Sequence, residues 1–507
     1  MNQLVETLAG FLSGNILVPL LVQIGIWFTF RMKGIQFTNF IEAWRCAFEN
    51  KSKDKSAVSS FQAMMVSTAA RVGTGNIVGV CTAICLGGFG SVFWMWVMAL
   101  FGMATAFVES TLAQIYKEHS NDGSGTCKGG PAYYMQHGLG SRKLGVFFSV
   151  LLFLTFGFGF NVLISYNVVE SFAIFYPSSA EFHATYVPYV VIVVLTLLFA
   201  FCIFRGGQKM ATITGILTPV MGVIYILMAL IVIILNLENL PGVFARIFRE
   251  ALDFKAIFGG FSGSCMMLGI KRGLFSNEAG LGSAPNAAAA AEVSHPVKQG
   301  MAQMVSVFID TIVICSATAL MGLCSGVEPT AELAGIAYVQ TALGSVFGGG
   351  FGYAFMCLAM VLFGFTTLLG DCFYTEPNLK FILNRDLKKG EKIAFYSFAT
   401  LQIPLGAFMT FSLVWNLADL MNAITALINL PVILILSRKV YACLDDYKAQ
   451  KKSCSRPRFP RLQARHPECC VLGLSVFSPF PSSGRRGVGA GKPPAPRLSG
   501  DNPDFLS

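Results

Sequence analysis

Two polar, glycine-rich stretches interrupt long apolar runs of this chain, and they hold the residues best suited to chemistry. The first is RVGTGN at 71–76 and the second is RGLFSNEAGLGSAP at 272–285. Closely spaced glycines beside asparagine disfavour a continuous helix, so we expect both helices to break there. A break frees carbonyl groups where the first half-helix ends and N–H groups where the second begins. Free carbonyls attract a cation or an ammonium group and free N–H groups attract a carboxylate, so the pair suits a zwitterion.

The elements around these breaks must be membrane helices. The chain has 507 residues, 54% hydrophobic and only 13% charged, with a mean hydropathy of +0.62. A soluble core does not absorb that much apolar surface. Many runs reach the roughly 20 residues that cross the hydrocarbon layer, and the absence of period-two alternation excludes a membrane barrel. The expected fold class is therefore an all-α polytopic membrane protein.

The apolar runs predict about eleven transmembrane helices. They lie near 11–30, 60–87, 91–117, 145–175, 186–205, 209–236, 254–290, 297–324, 350–380, 391–411 and 414–439. Two further segments, 40–48 and 333–343, are typical of short amphipathic helices at a membrane interface.

The distribution of positive charge predicts how the chain crosses the membrane. Lys and Arg concentrate in one set of loops, while the opposite set is nearly bare except for Arg246 and Arg249. The positive-inside rule then places the N-terminus outside and the C-terminus in the cytoplasm of a bacterial-type inner membrane. The net charge of +10 is explained by these loops and the tail, so no nucleic-acid partner is expected.

The span order predicts a repeat. Residues 1–59 would form one extra N-terminal helix and a basic cytoplasmic connector, followed by five-helix sets at 60–236 and 254–439. An odd number of spans per set inverts one half relative to the other, as in transporters whose binding site lies between repeats. After about residue 448 the composition becomes rich in Pro, Arg, Ser and Gly, so 448–507 is expected to be disordered or to come from an altered reading frame.

The interruptions have a plainer interpretation, since glycines in membrane helices often only allow close packing. A lone GxG motif would favour it. Two polar breaks, each in the first helix of its set, favour a shared polar site instead, because exposed backbone at membrane depth must be buried in protein or line a watery cavity.

Several motifs resemble the alanine or glycine:cation symporter family, also called the sodium:alanine symporters. They are GTGNIVGVCTAICLGG at 73–88, FWMWVMALFGMATAFVE at 93–109, GGPAYYM at 129–135 and the stretch at 272–285. The resemblance covers about residues 10–440. It implies a leucine-transporter fold with one added N-terminal helix, and cation-coupled symport of small neutral amino acids such as alanine or glycine, most simply with Na⁺. It implies no cofactor.

The resemblance also implies site residues. Backbone amides of Gly73, Thr74, Gly75 and Asn76 would bind the substrate carboxylate, with Ser276, Asn277 and Gly280 facing them from the second break. Hydroxyls of Thr366 and Thr367 and carbonyls of Ala69 and Val72 would bind Na⁺. From the residues alone, a Thr pair inside a helix more often bonds back to its own carbonyls.

Charges inside the predicted spans are costly and usually face a partner or a cavity. We expect Glu109 to form a buried network with Arg71 or Arg272, either structural or involved in gating. Asp371 lies one turn beyond Thr367 and can share its face. It departs from the family pattern, and if it points into the pocket it could bind the substrate amino group or carry a proton.

Three alternatives remain beside sodium symport. One is a proton-coupled amino-acid symporter. An intramembrane enzyme would need a nucleophile with its base or a metal cluster, and the five His all fall in loops or the tail. A channel is usually built by symmetric subunits, whereas the symmetry predicted here lies within one chain.

Overall fold

The computed structural model describes residues 2–49, 58–119, 127–260 and 264–455. The chain divides into two units, Met1–Ser453 and Cys454–Ser507. All of the second unit after Ser455, and so most of the predicted tail, lies outside the described residues. The tail was predicted to begin at 448, but the last helix continues to Ser455.

The chain begins with a helical segment and its connector. In chain order these are α1 (Asn2–Phe11), a π-helical segment (Leu12–Leu17), α2 (Val18–Arg31), α3 (Ile35–Thr38) and α4 (Phe40–Ala47). Glu42 of α4 accepts a hydrogen bond from the Tyr447 hydroxyl at 2.8 Å and pairs with Lys451 at 2.8 Å. The connector is therefore fixed to the last helix of the chain.

Among the described residues, the first predicted repeat contains nine α-helices of varied length, besides a 3-10 helix at Ala173–Phe175. They are α5 (Ser60–Arg71), α6 (Val80–Gly87) after a π-helical segment (Gly75–Gly79), α7 (Gly90–Ile115), α8 (Pro131–Leu139), α9 (Arg142–Leu154), α10 (Phe160–Glu170) after a π-helical segment (Thr155–Gly159), α11 (Ser179–His183), α12 (Val187–Ile203) and α13 (Gly207–Leu235). Between α7 and α8, β1 (Glu118–His119) pairs antiparallel with β2 (Cys127–Lys128).

The second predicted repeat follows after α14 (Leu240–Ala251). Its helices are α15 (Phe254–Gly259), α16 (Cys265–Asn277), α17 (Ala284–Ala290), α18 (Pro296–Val307), α19 (Ser316–Cys324) after a π-helical segment (Phe308–Cys315), α20 (Ile336–Phe347), α21 (Gly349–Leu383), α22 (Lys389–Leu401) and α23 (Phe411–Ser455).

In the described part of the chain, seven helical segments are long and apolar enough to cross a membrane, and α5 with α6, bent by 52° at the break, makes an eighth if the pair counts as one span. The predicted spans at 186–205, 254–290 and 391–411 are occupied by shorter helices, so the total of eleven stays a prediction. The predicted interfacial segments contain α4 and most of α20.

The core is built around α7, which packs against α2, α16, α17 and α18. Nearly all of its second half is buried, including Glu109. In contrast, α12 and α13 expose many large aliphatic side chains, such as Val193, Leu197, Val223 and Leu227. An apolar outer surface of this kind is favourable in lipid and costly in water. The observed architecture is thus an all-α polytopic bundle.

Candidate functional site

The first break is a short loop between α5 and α6. The helix starts at a capping box formed by Ser59 and Gln62 and ends at Arg71, where Val72 leaves helical geometry with a ψ of 79°. The chain resumes as a π-helical segment at Gly75. The sequence placed this break correctly, because Gly73 and Gly75 tolerate a backbone that leaves the helix.

The hydrogen bonds within the loop do not support the expected role of the Gly73 N–H group as a donor to the substrate carboxylate. The Gly73 N–H donates to the Arg71 carbonyl at 2.8 Å and to Asn76 Oδ1 at 3.0 Å, so it is not free for a substrate carboxylate. Gly73 acts instead through its missing side chain, since a Cβ atom there would collide with Thr367 Oγ1. A Cβ at Gly75 would lie 2.8 Å from the Phe275 ring.

The break leaves backbone groups of both signs without a backbone hydrogen-bond partner. Among the described residues, no backbone amide donates to the carbonyls of Ala69, Ala70 or Val72, and the amides of Thr74 and Gly75 donate to no backbone carbonyl. These are the groups that a helix end offers to a cation and an anion respectively. The arrangement matches the chemistry expected from the sequence.

The two threonines of α21 point in different directions. Thr367 Oγ1 donates to the freed carbonyl of Ala69 at 3.1 Å and to its own helix at Phe363. Thr366 Oγ1 bonds back to Leu362 and Phe363 and otherwise contacts Met221 of α13 at 3.7 Å. Only Thr367 therefore faces the first break, and the expected cation role of Thr366 is not supported.

The second break separates α16 from α17. Glu278 adopts a left-handed conformation with a φ of 52°, and Gly280 and Gly282 have φ values of 88° and 80°. Glycine favours this region, whereas Glu278 is held there by the Ser283 hydroxyl, which donates to its carboxylate at 2.6 Å. This break too lies where the sequence predicts it.

The two breaks meet through a buried polar junction. Asn76 Nδ2 donates to Ser276 Oγ at 3.0 Å and to Asp310 Oδ1 at 2.6 Å. Ser276 Oγ donates to Asp310 Oδ2 at 2.6 Å, and Thr311 Oγ1 donates to the same oxygen at 2.7 Å. Asp310 lies in the π-helical segment before α19 and is fully buried. A third element thus joins both broken helices.

Two residues of the second break do not face the first. Asn277 packs against Gly102 of α7, and its Oδ1 accepts the Ala279 N–H at 3.0 Å. A Cβ at Gly280 would meet Leu430 and Thr105. Of the three residues predicted to face Gly73–Asn76 from the second break, the structure brings only Ser276 into contact.

A small cavity lies between the breaks. It is lined by Ala70, Arg71, Gly73, Thr74, Gly75, Phe160, Leu163, Ile164, Phe275, Glu278 and Thr367. The centre of a water-sized sphere can occupy about 20 Å³ of it, which is space for roughly one water molecule. The cavity is therefore too small in this structure for an amino acid, and a larger occupant requires its walls to move.

An aromatic stack forms one wall of the cavity. The rings of Phe160 and Phe275 stack with centroids 5.1 Å apart, and Trp415 follows 5.0 Å from Phe275. The Arg272 guanidinium lies 4.5 Å from the Trp415 ring centroid. Thr74 is fixed on another side, since its hydroxyl accepts a hydrogen bond from Asn167 Nδ2 at 3.0 Å.

The network expected to join Glu109 to Arg71 or Arg272 contains no direct ion pair between them among the described residues. Arg272 forms a two-pronged ion pair with Asp419 of α23, at 3.0 and 3.2 Å, and Lys271 joins the same carboxylate. Arg71 donates to Gln303 and Ser306 of α18. The sequence could not reveal these partners, which lie far away along the chain.

Glu109 instead supports the second break. Its Oε2 accepts the Gly282 N–H and Asn429 Nδ2, both at 3.3 Å. Asn429 also donates to the Gly280 carbonyl at 3.0 Å. The charge of Arg71 acts on Glu109 without a direct bond. Glu109 and Asn429 together hold a loop whose backbone has left the helix.

Asp371 is buried but lies outside the cavity lining. Both of its carboxylate oxygens lack a hydrogen-bond partner among the described residues, and its neighbour Gly370 packs against Ala70 of α5. Glu278 is the charged group that acts on it. That Asp371 shares a face with Thr367 stays a prediction, and direct contact with a substrate in this cavity is not supported.

Asp310 and Asp419 are the functional candidates whose roles the sequence did not reveal. Asp310 is an acidic residue within a predicted span, which marks it as unusual without giving its partner. Asp419 carries the same signal in the last predicted span. Asp310 binds the two breaks and Asp419 binds Arg272. Predicting these partners requires knowledge of which helices are in contact.

A bundle of apolar helices, two of them broken and joined at a buried polar junction, is the architecture of a membrane transporter. The chain belongs to the sodium:alanine symporter family, whose family model matches residues 1–461. It is therefore a cation-coupled amino-acid symporter and not an enzyme.

Two relatives illustrate the similarity. The chain is 44% identical to the amino-acid carrier protein AlsT of Bacillus subtilis, over 87% of this chain and 91% of that protein. It is 42% identical to the probable sodium/glutamine symporter GlnT of the same organism, over 90% and 94%. Among solved structures it resembles MhsT in complex with L-phenylalanine, at 14% identity and a TM-score of 0.46, over 77% of this chain and 100% of that chain. A TM-score below 0.5 does not establish a common fold, so the inverted repeat stays a prediction.

Proposed function

We propose that this protein uses Na⁺ influx to drive uptake of a small neutral amino acid, such as alanine or glycine, by alternating access in the plasma membrane. The observation that carries the proposal is the junction of Asn76, Ser276 and Asp310. It joins the two broken helices next to the small cavity, which is lined by Gly75 and Phe275, the sequence neighbours of Asn76 and Ser276. A ligand that binds in this cavity would therefore act on both broken helices at once.

The substrate carboxylate would bind the amides of Thr74 and Gly75. These amides have no backbone acceptor among the described residues, and they begin the second half of the first broken helix, where an anion is favoured. Glu278 lines the same cavity and offers a counter-charge for the amino group. We expect Gly73 and Asn76 to shape this loop rather than to contact the carboxylate.

Two oxygen clusters would bind Na⁺, which prefers hard oxygen ligands as other hard cations do. One consists of the Ala69 and Val72 carbonyls and the Thr367 hydroxyl. The other is formed by Asp310 and Ser276, with the Asn76 amide turned to present its oxygen. Asp310 supplies a carboxylate to the second cluster, and a bound cation would compensate the charge of that buried group.

A preference for a small substrate is expected from the bulky side chains that line the cavity. Phe160, Ile164 and Phe275 surround a space that now holds about one water, so a large side chain would require extensive movement. The family description names alanine, while the relative GlnT is named for glutamine. The length of the substrate side chain is therefore the first property to vary in transport experiments.

The test is uptake of labelled alanine, glycine and glutamine by proteoliposomes that contain the purified protein. Saturable accumulation that requires a Na⁺ gradient, with alanine or glycine preferred, is the expected result. Accumulation driven by an acid-outside gradient in choline buffer would assign proton coupling instead. Equal uptake in sodium and choline with no response to either gradient would overturn the proposal.

A further inference from the structure

A cluster of metal-binding side chains lies outside the transport site, where the β1–β2 hairpin meets the end of the second broken helix. One ligand atom each from His119, Cys127 and Glu292 lies within 4.8 Å of the other two. The three residues come from β1, from β2 and from the segment that follows α17. The positive-inside rule places all three segments on the cytoplasmic side.

Strand register brings the first two ligands together. His119 is paired directly with Cys127 in the antiparallel hairpin, and directly opposed residues project their side chains on the same face. The third ligand is fixed by main-chain contacts. The Glu292 N–H donates to the Val58 carbonyl at 3.1 Å, and Val58 also forms a bridge with Ala291.

The donor set indicates the kind of metal. Imidazole, thiolate and carboxylate together suit Zn²⁺, which binds each of them at about 2.0 to 2.3 Å in tetrahedral geometry. Ligand atoms within 4.8 Å of one another can reach those distances by small side-chain rotations. Three protein ligands leave the fourth position for water. Cys127 is buried while His119 is exposed, so the cluster has one open side for the metal to approach.

We propose that His119, Cys127 and Glu292 form a Zn²⁺ site that clamps the cytoplasmic ends of the two broken helices and so slows transport. Val58 immediately precedes the capping box that starts α5, and Glu292 lies two residues beyond α17. A metal bridge from Glu292 to the hairpin would hold both helix ends against the loop after α7. The inhibitory part of this proposal rests on the proposed transport function, whereas binding does not.

Lys117 is the competing group at this site. Its ammonium donates to the Ala291 carbonyl at 2.8 Å and acts electrostatically on Cys127 and Glu292. It holds the same segments together when no metal is bound, and its positive charge opposes a cation. Lys117→Gln should therefore tighten Zn²⁺ binding.

Binding is measured on the full chain by calorimetric titration with ZnCl₂ in detergent. Because the tail carries His466, Cys469 and Cys470, the parent protein for this experiment has Cys469→Ser and Cys470→Ser. We expect one Zn²⁺ per chain and an affinity that falls by about tenfold or more in His119→Ala, Cys127→Ser and Glu292→Gln. His183→Ala, which pairs with Glu170 away from the hairpin, and Cys443→Ser are matched controls and should bind as the parent does. Absence of Zn²⁺ binding, or equal binding by the ligand variants, would overturn the proposal.

Circular dichroism and thermal melting of each variant check that lost binding is not lost folding. Uptake is then measured with Zn²⁺ or a membrane-impermeant chelator on the cytoplasmic side. Inhibition that disappears in Cys127→Ser supports the clamp, and binding without inhibition would overturn it. If no uptake occurs under any gradient, the transport function fails while the titration still decides the binding site.

Discussion

The hydroxyl of Thr367 lies 3.1 Å from the carbonyl oxygen of Ala69, across the gap between α21 and the broken end of α5. This hydroxyl now satisfies a carbonyl that the break has freed. If Na⁺ takes its place between these oxygens, both become ligands of the same ion. The neighbouring Thr366 faces α13, which provides a control one residue away.

Thr367→Ala is expected to raise the Na⁺ concentration for half-maximal uptake by about tenfold, equivalent to about 1.4 kcal/mol of binding free energy. Thr366→Ala should change it less than about twofold, since its hydroxyl bonds within its own helix. Thr367→Ser retains the hydroxyl and should remain close to wild type. Equal effects of Thr366→Ala and Thr367→Ala would contradict this assignment.

Asp310→Asn should nearly abolish Na⁺-driven uptake while the protein still folds. The amide has almost the same shape as the carboxylate but lacks its charge, and a hydrogen bond to a charged group contributes about 1.5–3 kcal/mol. Uptake together with Na⁺-dependent thermal stabilisation measures the effect. Asp446→Asn, whose exposed carboxylate pairs with His295 far along the chain from the junction, is the control. Retention of Na⁺ stabilisation by Asp310→Asn would remove Asp310 from the cation site.

Gly73→Ala and Gly75→Ala should both impair transport, for different steric reasons. The new methyl group would strike Thr367 in the first case and the Phe275 ring in the second, and overpacking of this kind costs about 1–3 kcal/mol. Phe275→Leu should partly rescue Gly75→Ala but not Gly73→Ala. Gly242→Ala, which has nothing within 4 Å of its added methyl group, should be neutral. Thermal melting and alanine uptake report on both effects.

Breaking the buried Arg272–Asp419 pair should destabilise the protein strongly. Removing one partner leaves an uncompensated charge, at a cost of about 3–5 kcal/mol, so Arg272→Met and Asp419→Leu should each lower the melting temperature. Lys271 remains near Asp419 and should make Arg272→Met the milder of the two. The triple variant Lys271→Met, Arg272→Met, Asp419→Leu removes all three charges and should recover much of the stability, and failure to recover would show that the cluster does more than balance charge.

Asp371→Ala should raise thermal stability, because its two buried oxygens lack partners among the described residues. An unsatisfied buried polar group costs about 1–3 kcal/mol, and alanine favours the helix. The melting temperature in detergent tests this directly. A lower melting temperature would show that Asp371 has a partner in the functional state. Uptake lost despite higher stability would place Asp371 in the transport cycle.

The broken helices could be located from sequence because their cause is local. Gly73, Gly75 and Gly282 permit backbone geometries that other residues disfavour, and their positions can be read directly from the sequence. The contact between Asn76 and Ser276 agrees with what the family resemblance implies for these two positions, whereas the breaks themselves follow from the residues. These features depend on few residues and hardly on the rest of the fold.

The partners of the buried charges could not be predicted in the same way. Arg272 meets Asp419 across 147 positions of sequence, so their pairing depends on how α16 and α23 pack. Asp310 reaches the junction from a π-helical segment, whose wider turn shifts side chains away from the ordinary helical face. Thr366 and Thr367 are adjacent threonines, so their sequence gives no reason to assign them different roles. They differ only in the helix that each one faces, which is α13 for Thr366 and α5 for Thr367.

Trp415, which packs against Phe275 in the aromatic stack with Phe160, is a natural fluorescent probe of the cavity between the two breaks. Trp415 contacts both the Arg272 guanidinium and the Phe275 ring, and it is one of only five tryptophans in the chain. Any movement of the Phe275 wall that admits a substrate must alter the packing and polarity around this indole. A variant that retains only Trp415 would therefore report opening and closing through its own fluorescence, without an added label.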